Sequence, residues 1–291
     1  MTDAWSGPKS VSRRKWLLST GALAAAIASG WSLEEPSGKS AGSAGPSASP
    51  SVPPPSPGAT PTATPSPART QPRTPPPRPT HSPVPPPTRP VFTLADYRRA
   101  VPGPAFPPHA IALTIDDGPH PVWTGKILDL LSKHHVPATF CMIGNQVRGH
   151  ESVARNVARA GHHLANHTWS HPTRLPKLSP AQMRREIEMA QDKIYSTTGQ
   201  APKLFRSPGG GWSPALFAQA AAAGMTCIDW SDDPKDWKRP GTAAIRGRLL
   251  ACKPGQILLC HDGGGDRSQT YAALQQVIPA LLAQGYRFVA L

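Results

Sequence analysis

Two short segments of this chain carry the residue types that metal-assisted hydrolysis needs. TIDDGP (114–119) runs a β-branched stretch straight into adjacent carboxylates, Asp116 and Asp117, followed by a turn. HTWSH (167–171) places His167 and His171 at i and i+4, the spacing that puts two imidazoles on one side of a helical turn. Asp-Gly-Pro alone is ordinary turn chemistry, and a lone His-x-x-x-His pair is incidental more often than it is a ligand pair. Together they are more informative. Two imidazoles and one carboxylate, with a coordination position left open, make a catalytic type of metal site, and Asp117 can be the third ligand.

Such residues must be brought together by a scaffold. Seven short apolar runs (110–116, 138–144, 162–166, 203–207, 225–230, 256–262 and 286–291) alternate with six amphipathic stretches (124–134, 151–160, 180–198, 214–223, 242–252 and 268–284). The third stretch is the clearest helix. Ser179 is placed to cap it, Pro180 opens it, Met183, Ile187, Ala190 and Ile194 form its apolar stripe, and Gly199 closes it. Strands alternating with helices predict a parallel α/β architecture. No glycine-rich phosphate fingerprint follows the first strand, so a closed or nearly closed barrel is expected, not an open doubly wound sheet. Such folds place their chemistry at the C-terminal ends of the strands. The polar residues gather there: Asp116 and Asp117, His167 and His171, Arg206, then Asp233, Asp236 and Trp237, and finally His261 and Asp262.

TIDDGP, HTWSH, RSPGG, DPKDW and LCH come in the order of the polysaccharide deacetylase family, carbohydrate esterase family four with its nodulation-protein-B homology domain, and the chain resembles that family from Ile111 to Leu291. The resemblance implies a distorted, incomplete (β/α) barrel. It also implies roles. Asp116 would be the general base and Arg206 would orient it. Asp117, His167 and His171 would hold one divalent metal. His261 would be the general acid, supported by Asp233. Trp237 and Leu259 would line the pocket for the acetyl methyl. Zinc is the expected ion, with cobalt or nickel able to substitute. Two adjacent aspartates would then have different work, one on the metal and one free to move a proton. Two positions depart from the family pattern: Gly209 stands where many relatives have tyrosine, and Ile115 replaces the commoner phenylalanine. A backbone N–H at Gly209 can still serve an oxyanion, but that wall of the sugar site is changed.

The remaining histidines read as structural, except His120, which follows the DDGP turn at the rim. Asp262 reads either as support for the metal site or as a loop residue. The four cysteines (Cys141, Cys227, Cys252 and Cys260) match no zinc spacing and three lie in apolar runs, so buried free thiols are expected.

Composition divides the chain of 291 residues into three parts. Over 1–35, Arg13-Arg14 precede a short apolar run and then small residues, the layout of an export signal of the twin-arginine type. Over 36–90, a Pro/Ser/Thr-rich stretch lacks the apolar surface to offset its ordering entropy and is expected to stay extended. Residues 91–291 are the catalytic domain. The formal charge of +14 splits into +6 over 1–90 (nine Lys/Arg against three acids) and +8 over the rest (22 against 14). It forms no block of Lys/Arg interleaved with aromatics, which argues against a nucleic-acid surface. A diffuse basic balance suits an anionic envelope. The expectation is therefore an exported, monomeric N-deacetylase acting on an acetylated polysaccharide with N-acetylglucosamine units, peptidoglycan ahead of chitin-like chains. An acetylxylan esterase on the same fold, or a wall-binding module without catalysis, are the alternatives.

Overall fold

The computed structural model describes residues 85–291. The expected signal over 1–35 and most of the expected linker over 36–90 lie outside the described residues. Seven parallel strands form one sheet: β1 (Ala110–Asp116), β2 (Thr139–Met142), β3 (His163–Asn166), β4 (Leu204–Phe205), β5 (Thr226–Cys227), β6 (Ile257–His261) and β7 (Arg287–Val289). Their order is β5-β4-β3-β2-β1-β6, with β7 on the first half of β1. The expected seven strands are therefore present, although β4 and β5 keep only two residues each of regular ladder.

The period-two alternation of the strands sorts residues onto two faces. Ile111, Leu113 and Ile115 of β1, Phe140 and Met142 of β2, Leu164 of β3, and Leu258 and Cys260 of β6 pack into the largest apolar cluster. The helices on that side are α2 (Trp123–Lys133), α4 (Glu151–Arg159), α5 (Pro180–Thr198), α7 (Thr242–Leu250) and α8 (Ser268–Ala283). The inward face is built from smaller residues, Ala110, Ala112, Cys141 and Ala165, with Leu204, Ile228 and Ile257. Moving up that face, the chemistry changes. Ala110 and Ala112 give way to Thr114 and Asp116 on β1, Ala165 to His167, Leu204 to Arg206, and Ile257 to His261. Strand register then sets Asp116 level with His261. The two-residue period thus puts four candidate site residues at one end of the barrel interior.

The barrel is incomplete because β5 and β6 are joined only by isolated bridges. Val91 pairs with Ile228, Thr93 with Gln256, and Asp232 with Leu258. Residues 91–93 therefore act as a short surrogate strand at the floor. It continues into α1 (Leu94–Ala100), whose N-cap Thr93 accepts from the Asp96 N–H. Leu94 and Tyr97 of α1 fill the floor of the barrel. Sequence periodicity did not announce this helix, which is too short to show a repeat. A second short helix, α3 (Gly144–Gly149), also went unforeseen, whereas α6 (Pro214–Ala222) and the other five longer helices match expectation. In α5, Ser179 and Gln182 form a reciprocal capping box, and Gly199 ends the helix at φ 77°. All four cysteines are free and buried. No helix among the described residues is long and apolar enough to cross a membrane.

Candidate active site

The DDG turn at the end of β1 delivers the two aspartates in opposite senses. Asp116 is the last strand residue, 2% exposed and facing inward. Asp117 leaves the strand at φ 75°, a left-handed conformation that Asp tolerates better than most residues. The turn is packed from behind by the loop after β6. A side chain on Gly263 would drive its Cβ into the Asp117 carbonyl oxygen, so glycine is needed for that approach. Asp262 is wholly buried against Gly118 and accepts from the Thr124 hydroxyl, which makes it a support of the turn that carries Asp117. Burial pushes its carboxyl up to about 7.

His167 and His171 leave β3 on a loop with Thr168 and His171 at φ 69° and 58°. Backbone strain of this sort collects at functional sites. Asn166 and the Thr168 hydroxyl hold the loop by accepting from the Thr168 and His171 amides. The imidazole of His167 donates from Nδ1 to the Arg206 carbonyl at 2.8 Å, which leaves Nε2 free and fixes the ring. That Nε2 lies 3.5 Å from Asp117 Oδ1, and His171 Nε2 lies 3.2 Å from the same oxygen. Ligand bonds of about 2.0–2.2 Å in tetrahedral geometry separate neighbouring donors by roughly 3.4 Å, which both distances match. Asp117 Oδ1 is otherwise a buried oxygen without a hydrogen-bond partner. Asp117, His167 and His171 are the cluster among the described residues that could hold a metal ion. Donor chemistry, spacing and the orphaned oxygen all fit a divalent cation there.

Arg206, fully buried, organises the neighbouring group. Its Nη1 donates to Asp116 Oδ1 at 2.7 Å and to the Thr114 hydroxyl at 2.8 Å, while Nη2 donates to the Asp229 carbonyl at 2.8 Å. Asp116 Oδ2 is thereby left toward the metal cluster, 3.7 Å from His167 Nε2. Arg206 stands where it was expected to orient Asp116.

On the other side, His261 Nδ1 donates to Asp236 Oδ1 at 2.7 Å, and the His261 amide donates to Asp236 Oδ2 at 2.8 Å. The Thr270 hydroxyl adds a third bond to that carboxylate. Burial alone would lower the His261 pKa, but the Asp236 carboxylate outweighs it and lifts the imidazole to about 9. This corrects the expectation that Asp233 supports His261. Asp233 instead accepts from the Lys235 amide at 2.7 Å and pairs with its ammonium at 3.3 Å. Asp233 precedes a proline and caps its own turn, which is what that dipeptide favours. Asp236 is 1% exposed and opens the 3-10 turn Asp236–Lys238 directly beneath the histidine.

The remaining candidates lie around these groups. Leu259 is buried two residues before His261 on the same face of β6. Trp237 stands at the rim, 47% exposed, with the Lys238 ammonium over its ring. Gly209, at φ 65° in the turn Pro208–Gly210, has open space where a side chain would be. His120 is not part of the cluster: its Nδ1 accepts from the Val122 and Trp123 amides and caps the start of α2. Sequence reasoning passed over Thr114, Asp229 and Thr270, whose partners lie on other strands and leave no local signal.

Comparison with known proteins agrees with this arrangement. The family model described as polysaccharide deacetylase matches residues 104–228. A chitooligosaccharide deacetylase of Bradyrhizobium sp. (strain ANU 289) is 41% identical over 190 residues, covering 61% of this chain and 86% of its own. A peptidoglycan-N-acetylglucosamine deacetylase of Bacillus cereus is 41% identical over 182 residues, covering 62% and 84%. Among solved structures, a peptidoglycan N-acetylglucosamine deacetylase in complex with 4-naphthalen-1-yl-N-oxidanyl-benzamide superposes with a TM-score of 0.62 at 32% identity, covering 69% of this chain and 90% of that one. With its partial parallel barrel and a relative matched over most of its length, the chain belongs to the polysaccharide deacetylase family.

Proposed function

We propose that this protein hydrolyses the N-acetyl group of N-acetylglucosamine units in a polysaccharide, with peptidoglycan preferred to chitin-like chains, and that it does so outside the cytoplasm after export by its twin-arginine-type leader. One observation carries the reading. An orphaned Asp117 oxygen and two imidazole nitrogens converge beside an Asp116–Arg206 pair and a His261–Asp236 pair. Relatives named as peptidoglycan and chitooligosaccharide deacetylases support the substrate class. The net charge of +14 and the long Pro-rich segment favour a cell-wall target.

Asp117, His167 and His171 would hold the ion, for which zinc is our assignment. Bound there, a divalent cation acts as a Lewis acid on the acetyl carbonyl and makes water a better nucleophile. The rest belongs to the chain. Asp116, held through Oδ1 by Arg206, uses Oδ2 to take the proton of the attacking water. The Gly209 N–H, on the turn after Arg206, would face the developing oxyanion. His261 enters the reaction protonated because Asp236 holds its charge, and it gives that proton to the departing amine. Leu259 and Trp237 bound the space for the acetyl methyl. We assign the working unit as a monomer.

The test is acetate release from acetylated chito-oligosaccharides, cell-wall glycan and acetylxylan, each with and without chelator. Acetate from the two N-acetylated substrates, abolished by chelator, is the expected result. Release from acetylxylan alone would replace the reading with an esterase, and release from none would point to a module without catalysis.

A further inference from the structure

The two histidines of the candidate metal site are held by different means. His167 is fixed through its ring, whose Nδ1 bonds the Arg206 carbonyl. His171, with 30% of its side chain exposed, is fixed through its backbone. Its amide donates to the Thr168 hydroxyl at 3.0 Å, and its φ of 58° is uncommon for a residue other than glycine. The aim of its Nε2 at Asp117 therefore depends on whatever holds the loop.

Two helices hold it. From the start of α3, the Gly144 amide donates to the Thr168 carbonyl at 2.9 Å and the Asn145 amide to the Trp169 carbonyl at 3.0 Å. Trp169 lies so close to Gly144 that a Cβ there would stand 2.6 Å from its Cε3. From the other side, α5 grips the loop at both ends. At the start of the loop, Asn166 Nδ2 donates to the Ile187 carbonyl at 2.8 Å and to Gln191 Oε1 at 3.2 Å. Near its end, the Ser170 amide and hydroxyl donate to the two oxygens of the Glu186 carboxylate, each at 2.8 Å. A carboxylate that takes two bonds from one residue fixes its orientation as well as its position. The helix is a firm support for that grip, since Met183, Ile187, Ala190 and Ile194 are buried and a capping box closes its N-terminus.

We propose that Glu186 is a positioning residue for the metal. Through Ser170 it holds the His171 backbone in the conformation that aims Nε2 at the ion, and it sets metal affinity from outside the ligand cluster. This rests on the metal site assigned above and not on the choice of substrate.

The test measures zinc dissociation constants of chelator-treated, full-length protein by competition with a chromophoric chelator, which reads binding without turnover. Glu186→Ala should weaken zinc binding by about tenfold, the lower end of what is lost when a group that orients a metal ligand is removed. Ser170→Ala keeps the amide bond and should cost less, and the double variant should cost no more than Glu186→Ala because the two residues act through one contact. Glu186→Gln keeps one accepting oxygen and should fall between Glu186→Ala and the wild type. Glu188→Ala removes a carboxylate exposed on the same helix and should bind zinc as the wild type does. Melting temperatures separate positioning from plain support: Glu186→Ala should melt close to the wild type without metal and below it with zinc. Unchanged affinity in Glu186→Ala overturns the proposal, and so does an equal loss in Glu188→Ala. A melting temperature lowered as much without zinc as with it also overturns it, since a merely structural contact would give that. A wild type that binds no zinc removes the metal site and this inference together. A wild type that binds zinc yet releases no acetate from any substrate sinks the deacetylase reading alone, and the affinities still decide the role of Glu186.

Discussion

Replacing Asp236 by asparagine removes the charge that holds the His261 proton and keeps the size of the side chain. In the structure that carboxylate takes three hydrogen bonds, from His261 Nδ1, the His261 amide and the Thr270 hydroxyl. His261 sits near about 9 because of it, against an ordinary value of 6.5. At pH 8 an imidazole at about 9 is roughly nine-tenths protonated, and one at 6.5 roughly three per cent, so the fraction able to act as acid falls by about thirtyfold. The assay is kcat/KM for acetate release from pH 5 to 10. Wild-type activity should decline on the alkaline side near pH 9, and in Asp236→Asn that limb should move to lower pH. Stability follows the same sign. A folded-state pKa raised above the unfolded one contributes stability that is full below about 6.5 and is lost as pH rises through about 9, on the order of 3 kcal/mol for this shift. Asp236→Asn should therefore cost more stability at pH 6 than at pH 9.5. Asp233→Asn should leave the alkaline limb where it is. If Asp233→Asn moves the limb and Asp236→Asn does not, the assignment of the acid's partner is wrong.

Three further outcomes are expected. Asp117→Ala, His167→Ala and His171→Ala should each lose stoichiometric metal by elemental analysis; full retention in all three would remove the site. Asp116→Asn should keep its metal and lose roughly 10²–10⁴-fold in rate, the usual contribution of a positioned base; His261→Ala should also keep it, and should lose less on an aryl acetate than on an amide because that leaving group needs little protonation. Deleting residues 1–84 should leave cooperative unfolding intact, whereas deleting 1–104 removes Val91, Leu94 and Tyr97 from the barrel floor at about 1.5–3 kcal/mol for each buried side chain, and should lower the melting temperature sharply.

The parts of the molecule legible in the sequence are those that rest on local chemistry. Ser179, Pro180 and Gly199 announce α5 because caps are written within a few residues of the helix they bound. The inward run of Thr114 and Asp116 on β1 is likewise a period-two signal. What stayed hidden depends on contacts between distant segments. The choice between Asp233 and Asp236 turns on which carboxylate the 3-10 turn tucks beneath β6, although the proline after Asp233 was a local hint of a turn. The role of 91–93 as a surrogate strand requires knowing that β5 and β6 fail to meet. Glu186 could not be placed against Ser170 from spacing alone, since the two lie on a helix and a loop that only the folded barrel brings together.

The most direct test of the account is a zinc titration of chelator-treated protein, with acetate release from an N-acetylated chito-oligosaccharide as the readout. Activity should be absent without metal, rise linearly, and level off at one equivalent per chain, because Asp117, His167 and His171 are the cluster among the described residues that could hold an ion, with Asp116 beside it. Full activity in the metal-free protein, or no acetate at one bound equivalent, would contradict it.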